Sequence, residues 1–122
     1  MYDKVKSIRT FIGAHNFEES RLFYQSLDFE ERVISDKMSL FIVNDHLSFY
    51  LQDYYVKDWI DNSMVLLEME DLDAYYDYLR SKNLRSRFST VKFTKIKNFD
   101  YGREIFLHDP SGVLWHFCEL KK

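Results

Sequence analysis

At 122 residues, 46% of them hydrophobic, the chain has the length of one domain and enough apolar side chain for a single core. Its net charge of −3, from seventeen Lys and Arg against twenty Asp and Glu, gives no general pull toward nucleic-acid phosphates. One cysteine, Cys118, excludes an intramolecular disulfide and a cysteine-built zinc cluster, and makes a reducing cytoplasm the expected compartment.

The opening Met1-Tyr2-Asp3-Lys4-Val5-Lys6 has no secretion-signal pattern, and no apolar run approaches the ~20 residues of a membrane span. Residues 7–12 then alternate with the period of a strand, and Gly13 ends them. Asn16 stands three residues before Glu19, as an N-cap with its reciprocal carboxylate would, and Phe17, Leu22, Phe23 and Leu27 follow at helical spacing. This predicts a helix over 17–27. Three short runs at 29–34, 38–43 and 47–51 read as strands, separated by the polar breaks Ser35-Asp36 and Asn44-Asp45-His46.

The same order then recurs. Residues 63–69 are an apolar run, Asp71 is placed to cap a helix carrying Leu72, Tyr76 and Leu79, and Asn83 is placed to end it in a left-handed conformation. Strands are expected around 87–95, 104–107 and 113–119, the last two joined by Asp109-Pro110-Ser111-Gly112, whose Pro and Gly suit a tight turn. Superposing the halves sets Asn16 on Asp71, Phe17 on Leu72 and Phe29 on Leu84 without a gap. The expectation is one domain over 1–122, with βαβββ modules at about 5–52 and 63–120 and a polar, aromatic linker at about 53–62.

The paired βαβββ order, Phe23-Tyr24-Gln25-Ser26-Leu27-Asp28-Phe29 at the end of the first helix, and Asp109-Pro110-Ser111-Gly112 before the last strand together carry a family likeness. Over nearly its whole length the chain resembles the vicinal oxygen chelate superfamily of glyoxalases, bleomycin-resistance proteins and dioxygenases. The first family signature usually reads Phe-Tyr, a few residues, then Leu-Gly-Phe; here Asp28 stands where Gly is usual, in a conformation Gly takes more easily. The segment from Phe49 to Trp59 with Asn62, and Tyr101-Gly102-Arg103-Glu104, are similar to a subgroup of bacterial members.

The resemblance implies an α+β fold whose two modules form a curled mixed sheet around a cleft, commonly at a homodimer interface, where a small molecule binds. Family metals are held by His or Glu at four positions, on the first and last strands of each module. Alignment places these at Arg9, at Phe49 or Tyr50, at Met64 and at His116. A lone imidazole beside a guanidinium is a poor set for a divalent ion, so no metal and no cofactor are expected.

His116 is the sharpest candidate. With Leu114 and Cys118 it shares one face of the last strand, where the resemblance implies a cleft; it acts there on a ligand, as an acid–base group or a contact, or else serves as a structural histidine bonded to backbone. Arg9 either clamps a ligand carboxylate or phosphate or reaches to the sheet edge. Cys118 is a thiol activated by Arg9 or His116, or an inert small hydrophobe. Tyr54, Tyr55 and Trp59 either close over a planar ligand or bury themselves in a core or dimer contact, and Phe99, Asp100 and Tyr101 suit a loop over the cleft mouth. His15, His46 and His108 match no local metal motif, and the basic run from Arg80 to Lys97 reads as a solvated face.

No Gly-rich phosphate loop, nucleophile elbow or His-Glu-x-x-His motif occurs. The leading expectation is a homodimeric, metal-independent binder, comparable to the drug-sequestering members of the superfamily. Its cleft is drawn from Arg9, Phe11, Phe49 or Tyr50, Trp59, Met64, His116 and Cys118. The alternatives are a metal-dependent lyase, isomerase or dioxygenase, a metal-free enzyme using His116, and a module acting through its dimer surface. Nucleic acid and membrane are not expected partners.

Overall fold

A computed structural model describes residues 1–122. β1 (Phe11–Gly13) leads into α1 (Phe17–Ser26), whose N-cap Asn16 is extended and accepts a hydrogen bond from the Glu19 backbone N–H at 3.0 Å. β2 (Glu30–Ser35), β3 (Met38–Asn44) and β4 (Leu47–Gln52) follow. They form a four-stranded sheet in the order β1-β4-β3-β2, with β1 parallel to β4 and the rest antiparallel.

After α2 (Lys57–Asp61), β5 (Met64–Glu68) and α3 (Leu72–Ser81) repeat the opening. The N-cap is again extended, with the Asp71 carboxylate accepting from the Ala74 N–H at 3.0 Å. α4 (Leu84–Arg87), β6 (Lys92–Phe93), β7 (Lys97–Phe99), β8 (Gly102–His108) and β9 (Leu114–Leu120) complete the chain. The second sheet runs β5-β9-β8-β6, with β7 also on β8 and β5 parallel to β9. The two sheets are not joined by strand pairing. No helix is long and apolar enough to cross a membrane.

Three elements differ from the sequence expectations. Pairing in the first strand begins only at Phe11, and residues 7–10 run exposed before it. The strand expected around 87–95 is a helical turn, α4, followed by two short strands. Asn83, at φ 53°, starts that turn, while Phe88 and Val91 enter the core as isolated anchors rather than as one face of a strand. Within 53–62 lies α2, whose Ile60 is buried against Gly13; a Cβ on Gly13 would stand 2.4 Å from the Tyr54 carbonyl oxygen.

Alternation divides each sheet into two faces. Phe41, Phe49 and Leu51 of the first sheet and Ile105, Leu107, Trp115 and Phe117 of the second are buried in one core of twenty residues. Rings from the inner strands of the two sheets meet there, Phe49 and Trp115 at 5.4 Å, so the inner faces pack toward each other.

Tyr24 joins the halves. Its hydroxyl donates to Asp109 Oδ2 at 2.6 Å and accepts from Trp115 Nε1 at 3.0 Å. Asp109 Oδ1 accepts from the backbone N–H groups of Ser111, Gly112 and Val113, each at 2.9 Å. Burial pushes the Asp109 carboxyl up, and these four donors pull the other way; burial and the neighbouring carboxylate push the Tyr24 hydroxyl well up. The Asp-Pro-Ser-Gly turn is thus a carboxylate plug set into the core.

Asp28 adopts the left-handed conformation, φ 64°. Its carboxylate accepts from the Tyr78 hydroxyl and from Lys82 Nζ, the latter at 2.9 Å. The side chain that replaces the usual Gly therefore ties the end of α1 to α3.

Candidate ligand-binding site

The outer face of the first sheet carries Arg9, Phe11, Ser48 and Tyr50. Arg9 Nε donates to Ser48 Oγ at 2.9 Å and Nη1 to the Tyr50 hydroxyl at 3.1 Å, and the guanidinium lies 5.7 Å from the centre of the Tyr50 ring. Phe11, paired with Tyr50 across the parallel ladder, packs on it with ring centres 5.0 Å apart. The guanidinium meets two hydroxyls and no carboxylate, so its positive charge is oriented but not neutralised.

The outer face of the second sheet carries Met64, Leu66, Phe106 and His116, set side by side by the register of β5, β9 and β8. His116 Nδ1 is 2.9 Å from Glu104 Oε1, and its ring stands edge-on to Phe106 at 5.1 Å. Glu104 is 3% exposed, and its other oxygen accepts from the Tyr101 hydroxyl. That hydrogen bond is the main reason the Tyr101 hydroxyl is pushed up to about 12. Nδ1 is the ring nitrogen that faces the carboxylate. Nε2 faces Met64 Sδ, a weak acceptor, at 3.4 Å. Tyr101, Glu104 and His116 form one chain that orients the ring and aims Nε2 at the outer face.

Glu104 did not enter the sequence-derived site. The signal was available, because alternation from Glu104 puts it with Phe106 on the face opposite Ile105 and Leu107, a lone carboxylate in an apolar strand.

Two expected lining residues require correction. Phe49 lies in the core against Tyr24, Phe41 and Trp115, because it sits on the inner face of β4, and Tyr50 holds the outer position. Cys118 shares the side of His116 but is fully buried across from Glu104 and Glu68. Burial and those carboxylates push its thiol up, away from a reactive thiolate. Trp59, exposed on α2, packs on Tyr54 at 6.0 Å and joins neither group. Arg9 and His116 are not brought together within one chain, since they lie on the outer faces of separate sheets whose inner faces share the core.

The four positions where the resemblance implies metal ligands hold a guanidinium, a phenol, a thioether and one imidazole. No group of three His, Cys, Asp or Glu side chains is arranged to hold a metal ion. Glu104, the nearest carboxylate to His116, bonds the wrong nitrogen to share an ion with Nε2. This donor set does not fit a hard divalent cation.

No family model and no curated relative matches the chain. Solved structures do. The chain superposes on a bleomycin-binding protein in complex with bleomycin with a TM-score of 0.79 at 15% identity, over 96% of this chain and 100% of that one. This is the glyoxalase/bleomycin-resistance fold. Similar matches of that fold are the bleomycin-binding protein of Streptomyces verticillus with copper(II)-bleomycin (TM-score 0.77, 19% identity, 98% and 100% covered) and a glyoxalase/bleomycin resistance protein of Catenulispora acidiphila (0.75, 18%, 96% and 100%). The α+β fold class read from the motifs is that of these structures.

Proposed function

We propose that this chain is a homodimeric, metal-independent protein that binds a small, partly aromatic or anionic molecule on the outer faces of its sheets. The observation that carries this reading is Arg9, an uncompensated guanidinium held by Ser48 and Tyr50 beside the exposed ring of Phe11. Such a surface offers a fixed cation and a flat apolar wall to an aromatic carboxylate. The bleomycin bound by two of the structural neighbours supports small-molecule binding.

A second copy supplies the rest. Phe11, Met64 and Leu66 are each more than half exposed, and apolar faces of this kind are commonly covered by a partner. Laying one chain's second sheet over the other's first sheet brings Arg9 and His116 to one cleft. A cytoplasmic setting suits the reduced Cys118.

A second reading, a metal-free enzyme, rests on the Tyr101-Glu104-His116 chain, which holds an oriented imidazole on the outer face as an acid–base group for a bound molecule. The metal-dependent lyase, isomerase or dioxygenase finds no support in the donor set.

The test is a thermal-shift and calorimetric titration with 1-naphthoate, alongside light scattering for the dimer. Saturable stabilisation that follows mass action and is lost in Arg9→Ala is expected. Binding that ignores Arg9→Ala, or none at millimolar probe, would remove this reading.

A further inference from the structure

Two hydroxyls hold Arg9, and each has a proton left to give. Ser48 Oγ accepts from Nε at 2.9 Å and the Tyr50 hydroxyl accepts from Nη1 at 3.1 Å. A hydroxyl that accepts still carries one O–H donor, and neither of these donates to a group of the chain. Nη2 likewise has no partner in the chain. The cluster therefore offers donors alone: Nη2, the Ser48 O–H and the Tyr50 O–H.

The register of the sheet keeps acceptors away from them. On the same face Ser48 stands beside Ile42 and Tyr50 beside Leu40, both apolar and half-buried. The next charged side chains of that face, Glu30 and Arg32, lie one strand further out on β2 and face each other at 3.9 Å. Arg9 and Phe11 are exposed and Ser48 and Tyr50 half-buried, so the donors are open to a ligand.

The same two bonds select the shape of the anion. A carboxylate meets a guanidinium best as a planar pair, two oxygens on two parallel N–H groups of one edge. Ser48 occupies Nε, which closes the edge that Nε shares with Nη2, and Tyr50 takes one N–H of Nη1. What remains is a guanidinium nitrogen flanked by hydroxyls from two residues of β4. A head with three oxygens around a central atom takes one donor on each oxygen, and one uncompensated guanidinium matches one negative charge. The geometry points to Arg9, Ser48 and Tyr50 as a donor pocket for a monoanionic three-oxygen head, a sulfonate or sulfate monoester, on an aromatic body that rests against Phe11. This inference rests on the sheet-face site proposed above and narrows its ligand. Ser48 and Tyr50 then touch the ligand and do more than support Arg9.

1-Naphthalenesulfonate and 1-naphthoate carry the same ring and the same charge and differ in the number of oxygens. Calorimetric titration into the full chain is expected to show the sulfonate binding about fivefold tighter, the effect of one further hydrogen bond. Ser48→Ala and Tyr50→Phe each remove one donor. The sulfonate is expected to weaken by about fivefold in either variant, while the naphthoate holds its affinity and in Ser48→Ala tightens, because Nε is freed for a bidentate carboxylate. Residues that only supported Arg9 would weaken both probes alike. Naphthoate as tight as the sulfonate in the wild type, parallel weakening of both probes in the two variants, or sulfonate binding that survives Arg9→Ala would each overturn the head-group assignment. The first two results leave the sheet-face reading standing, since naphthoate still binds; no binding of either probe at millimolar concentration removes both.

Discussion

Removing one oxygen atom from Tyr24 tests how the two modules are held together. In Tyr24→Phe the ring stays in its packed place, but Asp109 loses a charge-assisted bond and Trp115 Nε1–H loses its acceptor, both at fully buried positions. A hydrogen bond to a charged group contributes about 1.5–3 kcal/mol, and a buried donor left unpaired costs about 1–3 kcal/mol. Asp109 keeps three backbone donors, so the turn itself survives. A loss of about 3–4 kcal/mol is expected, which for a chain of this size lowers Tm by roughly 10–15 °C. Urea unfolding followed by tryptophan fluorescence reads it as a lower midpoint at unchanged slope. The matched control is Tyr75→Phe, the same chemical change at a buried hydroxyl with no partner, which is expected to leave stability unchanged or raise it by up to about 1 kcal/mol. Equal losses in both variants, or a loss under about 1 kcal/mol in Tyr24→Phe, would refute the reasoning.

Other perturbations separate the remaining contacts. Burial alone would raise the Glu31 carboxyl, but hydrogen bonds from Arg21, Ser39 and Gln25 outweigh it and hold the group below its ordinary 4.5. Its stabilisation is therefore complete above that value and is lost as pH falls through the lowered one. Glu31→Gln should flatten the fall in urea midpoint as pH drops below 4.5, and an unchanged acid limb would speak against it. Asp28→Gly keeps the left-handed turn while removing the clamp, whereas Asp28→Ala loses the clamp and meets backbone strain. The Ala variant should melt lowest of the three, and an Ala variant as stable as the Gly one would contradict the clamp-plus-strain account. In Glu104→Gln the Tyr101 hydroxyl, pushed up to about 12 by Glu104, should fall toward its ordinary 10, read by ¹³C-tyrosine chemical shifts against pH. No movement would mean that the Tyr101-Glu104 bond is absent in solution.

Local signals in the chain were strong where one residue dictates one geometry. Asn16 and Asp71 each cap a helix at matching places, Asn83 turns left-handed, and Asp109 starts a turn that only Gly112, at φ 108°, completes easily. The stretch around 87–95 was not legible because Phe88 and Val91 anchor a loop individually, and two buried residues three apart mimic neither a clean strand nor a long helix. Alternation alone left Phe49 and Tyr50 as equal choices, since which face of β4 looks inward depends on Trp115 of the other module. Arg9 and His116 could be named from the positions the family resemblance implies, but their partners lie 39 or 41 and 12 residues away.

The most direct test of the proposed metal-independent site is a thermal-shift titration of chelator-stripped protein with Ni²⁺, Zn²⁺, Mn²⁺ and Fe²⁺, with elemental analysis for stoichiometry. No stabilisation at one equivalent per chain is expected from a site whose four positions hold Arg9, Tyr50, Met64 and His116. Stabilisation by one metal at one equivalent, lost in His116→Ala, would contradict it and make a metal-dependent enzyme the leading reading.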